Sequence, residues 1–322
     1  MPERSTAMMV KAAGESPSPV EITTGTPAEG QVLVRMRAAA LNFADLLMLS
    51  GTYQETPPLP FIPGLEGAGE ILAAGPGTRL TKGTRVAVFA QGTMTETGVF
   101  DANDCLPIPN TMSDQDAAGF QIAYGTSHLA LTRRADLQKG ETLVVLGAAG
   151  GVGLTAVAIG AALGARVIAV ARGQDKLAAA KAAGAHELID SDDCPDLKAK
   201  LRALGGVDVV YDPVGDALGE AAFAALRPLG RFLVIGFAGG KVPRIPLNHA
   251  LVKNIAIHGF YWGAYRKLTP EVLRDSMTQL FQMVESGQIT PVASQVLPLS
   301  DLNKAYDLLR SRRSIGKVIL QI

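Results

Sequence analysis

The sequence predicts an α/β protein in which a doubly wound parallel sheet is inserted into a mainly antiparallel β domain. Three observations predict it: short apolar segments punctuated by Gly and Pro up to Pro109, strict alternation of strand and helix patterns from Thr142 to about Tyr261, and helix and strand patterns that resume afterwards. A chain of 322 residues suits two domains, each able to bury its own core.

In the first region, residues 31–38, 67–73, 85–90 and 94–100 read as antiparallel strands, with one helix over 42–49. From Ser113 to Arg134 the period turns helical, through Ala117, Ala118, Ile122, Leu129 and Leu131, with Ser113 and Asp116 as start signals. Strands over 142–146, 166–171, 186–189, 207–211, 231–235 and 255–261 then alternate with helices over 151–163, 175–183, 195–204 and 218–226. Apolar, β-branched strands in that alternation imply a parallel sheet covered on both faces and wound by right-handed crossovers. After Trp262, helices over 270–285 and 301–310 and a strand over 317–322 are expected to return to the first domain. The expected divisions are 1–124, 125–263 and 264–322.

Composition narrows the partners. Thirty basic and thirty acidic residues leave zero formal charge, so no basic field favours nucleic acid or anionic lipid. Two distant cysteines, Cys105 and Cys194, make a disulfide framework implausible. The N-terminus lacks a signal-peptide pattern, and the longest apolar stretch is broken by Gly160, Gly164 and Arg166. A cytoplasmic protein acting on small molecules is expected.

Residues 142–153 read TLVVLGAAGGVG, an apolar strand running into a glycine cluster that opens a helix. Glycine lets backbone approach a pyrophosphate closely, and the helix N-terminus offers unpaired N–H groups with a partial positive charge. Ala148 occupies the first glycine position of the usual G-x-G-x-x-G pattern, so the strand and helix context carries the assignment. Gly150, Gly151 and Val152 are the expected phosphate contacts. At the end of the next strand, an acidic residue would hold a ribose 2′-hydroxyl. Here stand Ala171, Arg172 and Gly173, then Lys176, with Asp175 adjacent. The two cations either attract a 2′-phosphate, making NADPH the cofactor, or are solvated surface charges.

The segments NFADLLMLSGTY (42–53), PGLEGAGEI (63–71), YGTSHLAL (124–131), GAAGGVGLTAVAIGAALGARVIA (147–169), YDPVG (211–215) and GKVIL (316–320) carry a wider resemblance. In order and spacing the chain resembles the zinc-free quinone oxidoreductase, or zeta-crystallin, branch of the medium-chain dehydrogenase/reductase superfamily. The resemblance implies a GroES-like catalytic domain with an inserted Rossmann domain, and a homodimer formed by pairing of the last nucleotide-domain strands. Zinc-dependent relatives carry a Cys where this chain has Asn42 and a His where it has Leu65, and the histidines at 128, 186, 249 and 258 are scattered. No metal site is expected. Without a Lewis acid for an alcohol, the acceptors implied are quinones, enones and other electron-poor double bonds.

By resemblance, Asn42 and Tyr53 sit near the nicotinamide and the substrate carbonyl as hydrogen-bond donors, although Tyr53 can equally be a packing residue. Thr126 matches a threonine holding the nicotinamide end. Ile235, Gly236 and Phe237 follow a strand at that edge, and Tyr261 and Trp262 end the last strand near the same pocket. Arg312 resembles an arginine approaching the 2′-phosphate and Lys317 belongs to the common GK ending; either can be a solvated surface charge. Leu47 and Leu49 replace a tyrosine and an arginine common in the family, making the pocket more apolar, and Ser191 replaces a phosphate-contacting tyrosine of some members.

Two other functions fit the same residues. An enoyl or acryloyl-CoA thioester reductase would use a basic patch for the CoA phosphate, with Arg133, Arg134, Arg266 and Lys267 available. A non-catalytic NADPH- or RNA-binding protein is the third reading, and zero net charge speaks against RNA.

Overall fold

A computed structural model describes residues 4–291 and 293–322. The chain divides into two compact units, one formed by Met1–Ile122 with Pro291–Ile322 and the other by Ala123–Thr290. The first stretch contains β1 (Arg4–Met9), β2 (Ser18–Thr23), β3 (Gln31–Ala40), α1 (Phe43–Leu49), β4 (Glu66–Ala74), β5 (Arg85–Phe89), β6 (Thr97–Asp101), β7 (Cys105–Pro107) and α2 (Asp114–Ala118). In β3, Val32, Val34 and Met36 are buried at alternate positions and pack with Ile71, Val86 and Val88, as a strand with one face on a core requires. Ser113 caps α2, its hydroxyl accepting from Asp116 N–H, as its position predicts.

The second unit runs through α3 (Gln121–Leu129), whose first two residues belong to the first unit, and a π-helical turn over Ala130–Arg134. It continues with β8 (Thr142–Leu146), α4 (Gly151–Ala162), β9 (Arg166–Ala171), α5 (Gln174–Ala182), β10 (Glu187–Asp190), α6 (Leu197–Ala203), β11 (Val207–Asp212), α7 (Asp216–Ala225) and β12 (Leu226–Val234). It ends with α8 (Leu247–Lys253), β13 (Ala256–Gly259), α9 (Tyr265–Leu268) and α10 (Pro270–Glu285). All six strands pair in parallel in the order β10-β9-β8-β11-β12-β13. This is the doubly wound order, reversing direction between β8 and β11. Every residue of β8 is buried, so its unbroken apolar run reflects helices on both faces. Phe223 and Phe232 meet edge to face in the core below, ring centroids 5.6 Å apart.

The chain returns to the first unit with β14 (Ala293–Pro298), α11 (Leu302–Arg310) and β15 (Lys317–Gln321). The seven-stranded sheet there runs β14-β15-β3-β4-β5-β7, with β6 also on β3. Only its β14 to β15 pair is parallel. Leu302, Ala305 and Tyr306 of α11 pack with Met48 and Leu49 of α1 and with Val318 and Leu320 of β15.

Two expectations need correcting, and one element was not expected. The return begins at Pro291, because α10 packs within the second unit: Leu273, Met277 and Leu280 are buried there and Ser276 Oγ lies 2.8 Å from His128 Nδ1 of α3. The helical stretch from Ser113 to Arg134 is three pieces, broken after Ala118 and widened into a π turn at Ala130. The helix α8 had no counterpart among the expected elements, and its Leu247, Leu251 and Val252 are all exposed. Among the described residues, no helix is long and apolar enough to cross a membrane.

Candidate active site

In the second unit the glycine turn stands between β8 and α4. Gly147 has φ +57°, in the left-handed region, and accepts from Gly150 N–H at 2.9 Å. Gly153 crosses so close to the Gly147 carbonyl that a Cβ there would collide with it. The first intrahelical bond of α4 runs from Leu154 N–H to Gly150 O. The N–H groups of Gly151, Val152 and Gly153 therefore precede the helical ladder and point from a positive helix terminus. Ala148, at the irregular motif position, is buried, with its N–H donated to Val170 O of β9.

Parallel strands deliver the other expected nucleotide contacts to the same carboxyl edge: Arg172 and Lys176 follow β9, Ser191 follows β10, Ile235, Gly236 and Phe237 follow β12, and Tyr261 and Trp262 follow β13. Phe237 and Tyr261 are exposed, whereas Trp262 is buried against Gly125 of α3. The N–H groups of Ile235 and Gly236 both reach Asp212 O, joining the ends of β11 and β12. Asp212 is itself buried, and burial raises its carboxyl pKa, opposed by the N–H bonds of Gly215 and Val214.

Arg172 is exposed, with its Nε 3.1 Å from Asp192 Oδ1. Asp190 accepts Gly173 N–H and Asp192 N–H, each at 3.1 Å. The turn after β9 thus meets carboxylates at the end of the following strand: Asp192 on Arg172 and Asp190 on the Gly173 N–H.

Thr126 is buried on α3, next to a chain of hydroxyls. Ser127 Oγ lies 2.8 Å from Thr155 Oγ1 and 3.0 Å from Tyr211 Oη, and Thr155 Oγ1 donates to Ala123 O or Val152 O, each at 3.0 Å. Ser127 Oγ also reaches Val152 O at 3.0 Å, so the hydroxyls of Tyr211, Ser127 and Thr155 end on backbone carbonyls and tie α3, α4 and β11 together. Burial pushes the Tyr211 phenol well above its usual range, so it acts there as a neutral donor.

In the first unit the decisive residues lie at three strand ends. β4 and β15 both run antiparallel to β3, so Glu66 at the start of β4 pairs with Ala40, and Leu41 N–H bonds Val318 O of β15. Asn42, the N-cap of α1, thereby meets Glu66 and Lys317. Asn42 Nδ2 donates to Glu66 Oε1 at 3.0 Å. Lys317 Nζ donates to Asn42 Oδ1 and to Glu66 Oε1, each at 2.7 Å, and to Leu41 O at 2.9 Å. Glu66 Oε2 accepts Ile122 N–H at 2.9 Å. Asp45, buried one helical turn on, accepts Asn42 N–H at 2.7 Å. Burial raises the Asp45 carboxyl pKa to about 7, opposed by the Asn42 bond and by the Lys317 charge.

These contacts revise the reading of Lys317 as a cofactor contact or surface charge: it is buried and all three ammonium hydrogens are donated within the first unit. Tyr53 is half-buried and packs on the cluster around Met48 and Leu49. Arg312, just past α11, is exposed, and its N–H bonds Leu309 O. Sequence reasoning passed over Asp45 and Glu66. Asn42-x-x-Asp45 is a capping-box spacing, and Glu66 is a charge inside a glycine-rich strand; both were signals. Among the described residues, no group of three or more His, Cys, Asp or Glu side chains is arranged to hold a metal.

A doubly wound sheet with an open α4 terminus, inserted in a β unit with a buried polar cluster, defines the class as a dehydrogenase/reductase. Residues 28–112 match the family model described as alcohol dehydrogenase GroES-like domain and residues 151–282 the one described as zinc-binding dehydrogenase. Quinone oxidoreductase-like protein 2 of Mus musculus is 37% identical over 300 residues, covering 91% of this chain and 85% of that protein. The quinone oxidoreductase of Thermus thermophilus, solved also as its complex with NADPH, aligns with a TM-score of 0.88 at 30% identity over 98% of this chain and 100% of that one. The Escherichia coli quinone oxidoreductase complexed with NADPH gives 0.87 at 29% identity over 99% and 100%. This chain belongs to the quinone oxidoreductase branch of the medium-chain dehydrogenase/reductase superfamily, and it is an oxidoreductase.

Proposed function

We propose that this protein is an NADPH-dependent reductase that transfers hydride to quinones or α,β-unsaturated carbonyls without zinc. The observation that carries the reading is the α4 terminus: three N–H groups ahead of the helical ladder beside a turn in which Gly153 leaves no room for a side chain. That is the chemistry a pyrophosphate needs, and two solved relatives are described with NADPH.

On this reading Gly150, Gly151 and Val152 hold the pyrophosphate, and Arg172, Lys176, Ser191 and Arg312 serve the adenosine end. Thr126, Ile235, Gly236, Phe237, Tyr261 and Trp262 serve the nicotinamide end. Reduced nicotinamide supplies the hydride. The protein orients the reactants, excludes water, and offers Asn42 Nδ2–H to the acceptor oxygen as negative charge develops on it. Tyr53 lines the acceptor side.

The residues at Asn42 do not fit a catalytic zinc. The ammonium of Lys317 sits 2.7 Å from both Asn42 Oδ1 and Glu66 Oε1, so a dication there would face a fixed positive charge, and an amide is a poor ligand in place of a thiolate. We further propose a homodimer. β13 ends its sheet, and the neighbouring α8 exposes Leu247, Leu251 and Val252 at 71%, 78% and 78%; a second copy would cover this apolar surface.

The test is NADPH and NADH consumption against quinones, enones and acryloyl-CoA, with metal analysis and light scattering on the same sample. Oxidation of NADPH by quinones or enones in metal-free dimer is expected. Stoichiometric zinc, a monomer, or turnover confined to acryloyl-CoA would each remove one part of the reading.

A further inference from the structure

The two ends of an asparagine amide are alike in shape and opposite in hydrogen bonding: Oδ1 only accepts and Nδ2 only donates. Around Asn42 the neighbours leave a single choice. Lys317 can only donate and it faces Oδ1; the Glu66 carboxylate accepts and it faces Nδ2. Neither neighbour is loose. Lys317 has spent its remaining hydrogens on Leu41 O and Glu66 Oε1, and Ile122 N–H pins the other oxygen of Glu66. Asp45 holds the Asn42 backbone N–H. One Nδ2 hydrogen is thus left with no acceptor among the described residues, on a residue that is only half-buried. The ammonium on Oδ1 also draws electron density from the amide, which makes Nδ2–H a stronger donor.

We propose that Lys317 and Glu66 are positioning residues that orient and polarise the Asn42 amide so that its unused Nδ2–H points outward as the donor to the acceptor oxygen. The inference rests on the reading of the protein as a reductase whose acceptor oxygen meets Asn42. It also reassigns Lys317 from cofactor contact to the support of a substrate donor. An ordinary structural ion pair would hold the strands together and leave the chemistry untouched.

The experiment uses the full chain and four proteins: wild type, Asn42→Ala, the double variant Lys317→Met/Glu66→Gln, which removes both charges of the buried ion pair together, and the triple variant. Each is assayed for kcat and KM with NADPH and 9,10-phenanthrenequinone, for NADPH affinity by fluorescence, and, where Asn42 is present, for its side-chain amide in a 1H–15N spectrum. The double variant is expected to bind NADPH within about twofold of wild type and to lose about tenfold in kcat. Asn42→Ala is expected to cost about as much in the wild type and nothing further in the double variant. The Asn42 side-chain amide resonances are expected to shift in the double variant, where Lys317 no longer donates to Oδ1 and Glu66 no longer accepts from Nδ2 as a carboxylate. Lys317→Arg, which keeps the charge but not the ammonium geometry, is a second variant expected to lose kcat in the same way should the double variant not fold. Wild-type kcat in the double variant or in Lys317→Arg, additive losses, or an unchanged amide resonance overturns the proposal. A wild type that oxidises no NADPH with any acceptor removes the functional reading, and the amide spectrum still decides the orientation.

Discussion

Lys317 Nζ lies 2.7 Å from Glu66 Oε1, with side chains only 7% and 1% exposed. Removing one member of such a pair strands the other charge out of water, whereas replacing both leaves packing to compensate. Lys317→Met is therefore expected to destabilise the protein by roughly 3–5 kcal/mol. Adding Glu66→Gln should restore most of that loss. Urea unfolding of both variants is the check, and equal destabilisation would show that the ion pair does not govern this site.

Asp45 makes stability depend on pH. Its carboxyl pKa is raised by burial from 3.8 to about 7 in the folded chain, against the opposing effects of Asn42 N–H and Lys317. Glu66 adds to the rise, and Tyr306 is the other titratable group coupled to it. Between these two pH values the native state keeps a proton that the unfolded chain has released, so stability falls as pH rises through that window. The slope is about 1.4 kcal/mol per pH unit at most for one proton. Asp45→Asn should flatten it. A wild-type profile that rises with pH from 4 to 7, with no change in the variant, would contradict the assignment.

On the proposed reading, Arg172 is expected to exchange Asp192 for the 2′-phosphate when NADPH binds. Its Nε is held at 3.1 Å by Asp192 while both side chains remain well exposed, so the present pairing is worth little. Arg172→Ala is expected to weaken NADPH binding by about tenfold and to leave NADH nearly unchanged. Lys176→Glu should act in the same direction, and Asp192→Asn in the opposite one. Isothermal titration with both dinucleotides measures this, and parallel losses for NADH and NADPH would remove the proposed 2′-phosphate role.

Ser127 is the middle of the hydroxyl chain from Tyr211 to Thr155. Ser127→Ala leaves the buried Tyr211 hydroxyl without its acceptor, at a cost of about 1–3 kcal/mol. Because the same chain bonds Val152 O of the α4 first turn, dinucleotide affinity should fall with it. Thermal unfolding and NADPH titration of the variant should both shift; a change below the error of both would show the network to be dispensable.

Most of the second unit was legible because its signals are local. An apolar run such as that of β8, a glycine turn and a helix start lie within a dozen or so residues, and the alternation then repeats. The parallel sheet carried the expected contacts to one edge without further information, since strand ends are where loops must lie. Less legible were α8, a seven-residue helix whose Leu247, Leu251 and Val252 are exposed, and the membership of α10, which rests on its contacts with α3. Periodicity reports that a helix has an apolar face and is silent about which unit receives it.

The sequence by itself determined the class of the protein: its glycine turn, its basic pair after β9 and the ordered family segments need only near neighbours to be recognised. What only tertiary structure decided is the surroundings of Asn42. Residues 42, 66 and 317 meet because β4 and β15 flank β3 with opposite direction, bringing two strand starts to one strand end. The same lysine, read in sequence as a cofactor contact or a surface cation, is a buried ammonium with every hydrogen donated. Hydrogen-bond partners across hundreds of residues depend on register, and register is settled by the packing of whole sheets, which no local pattern records.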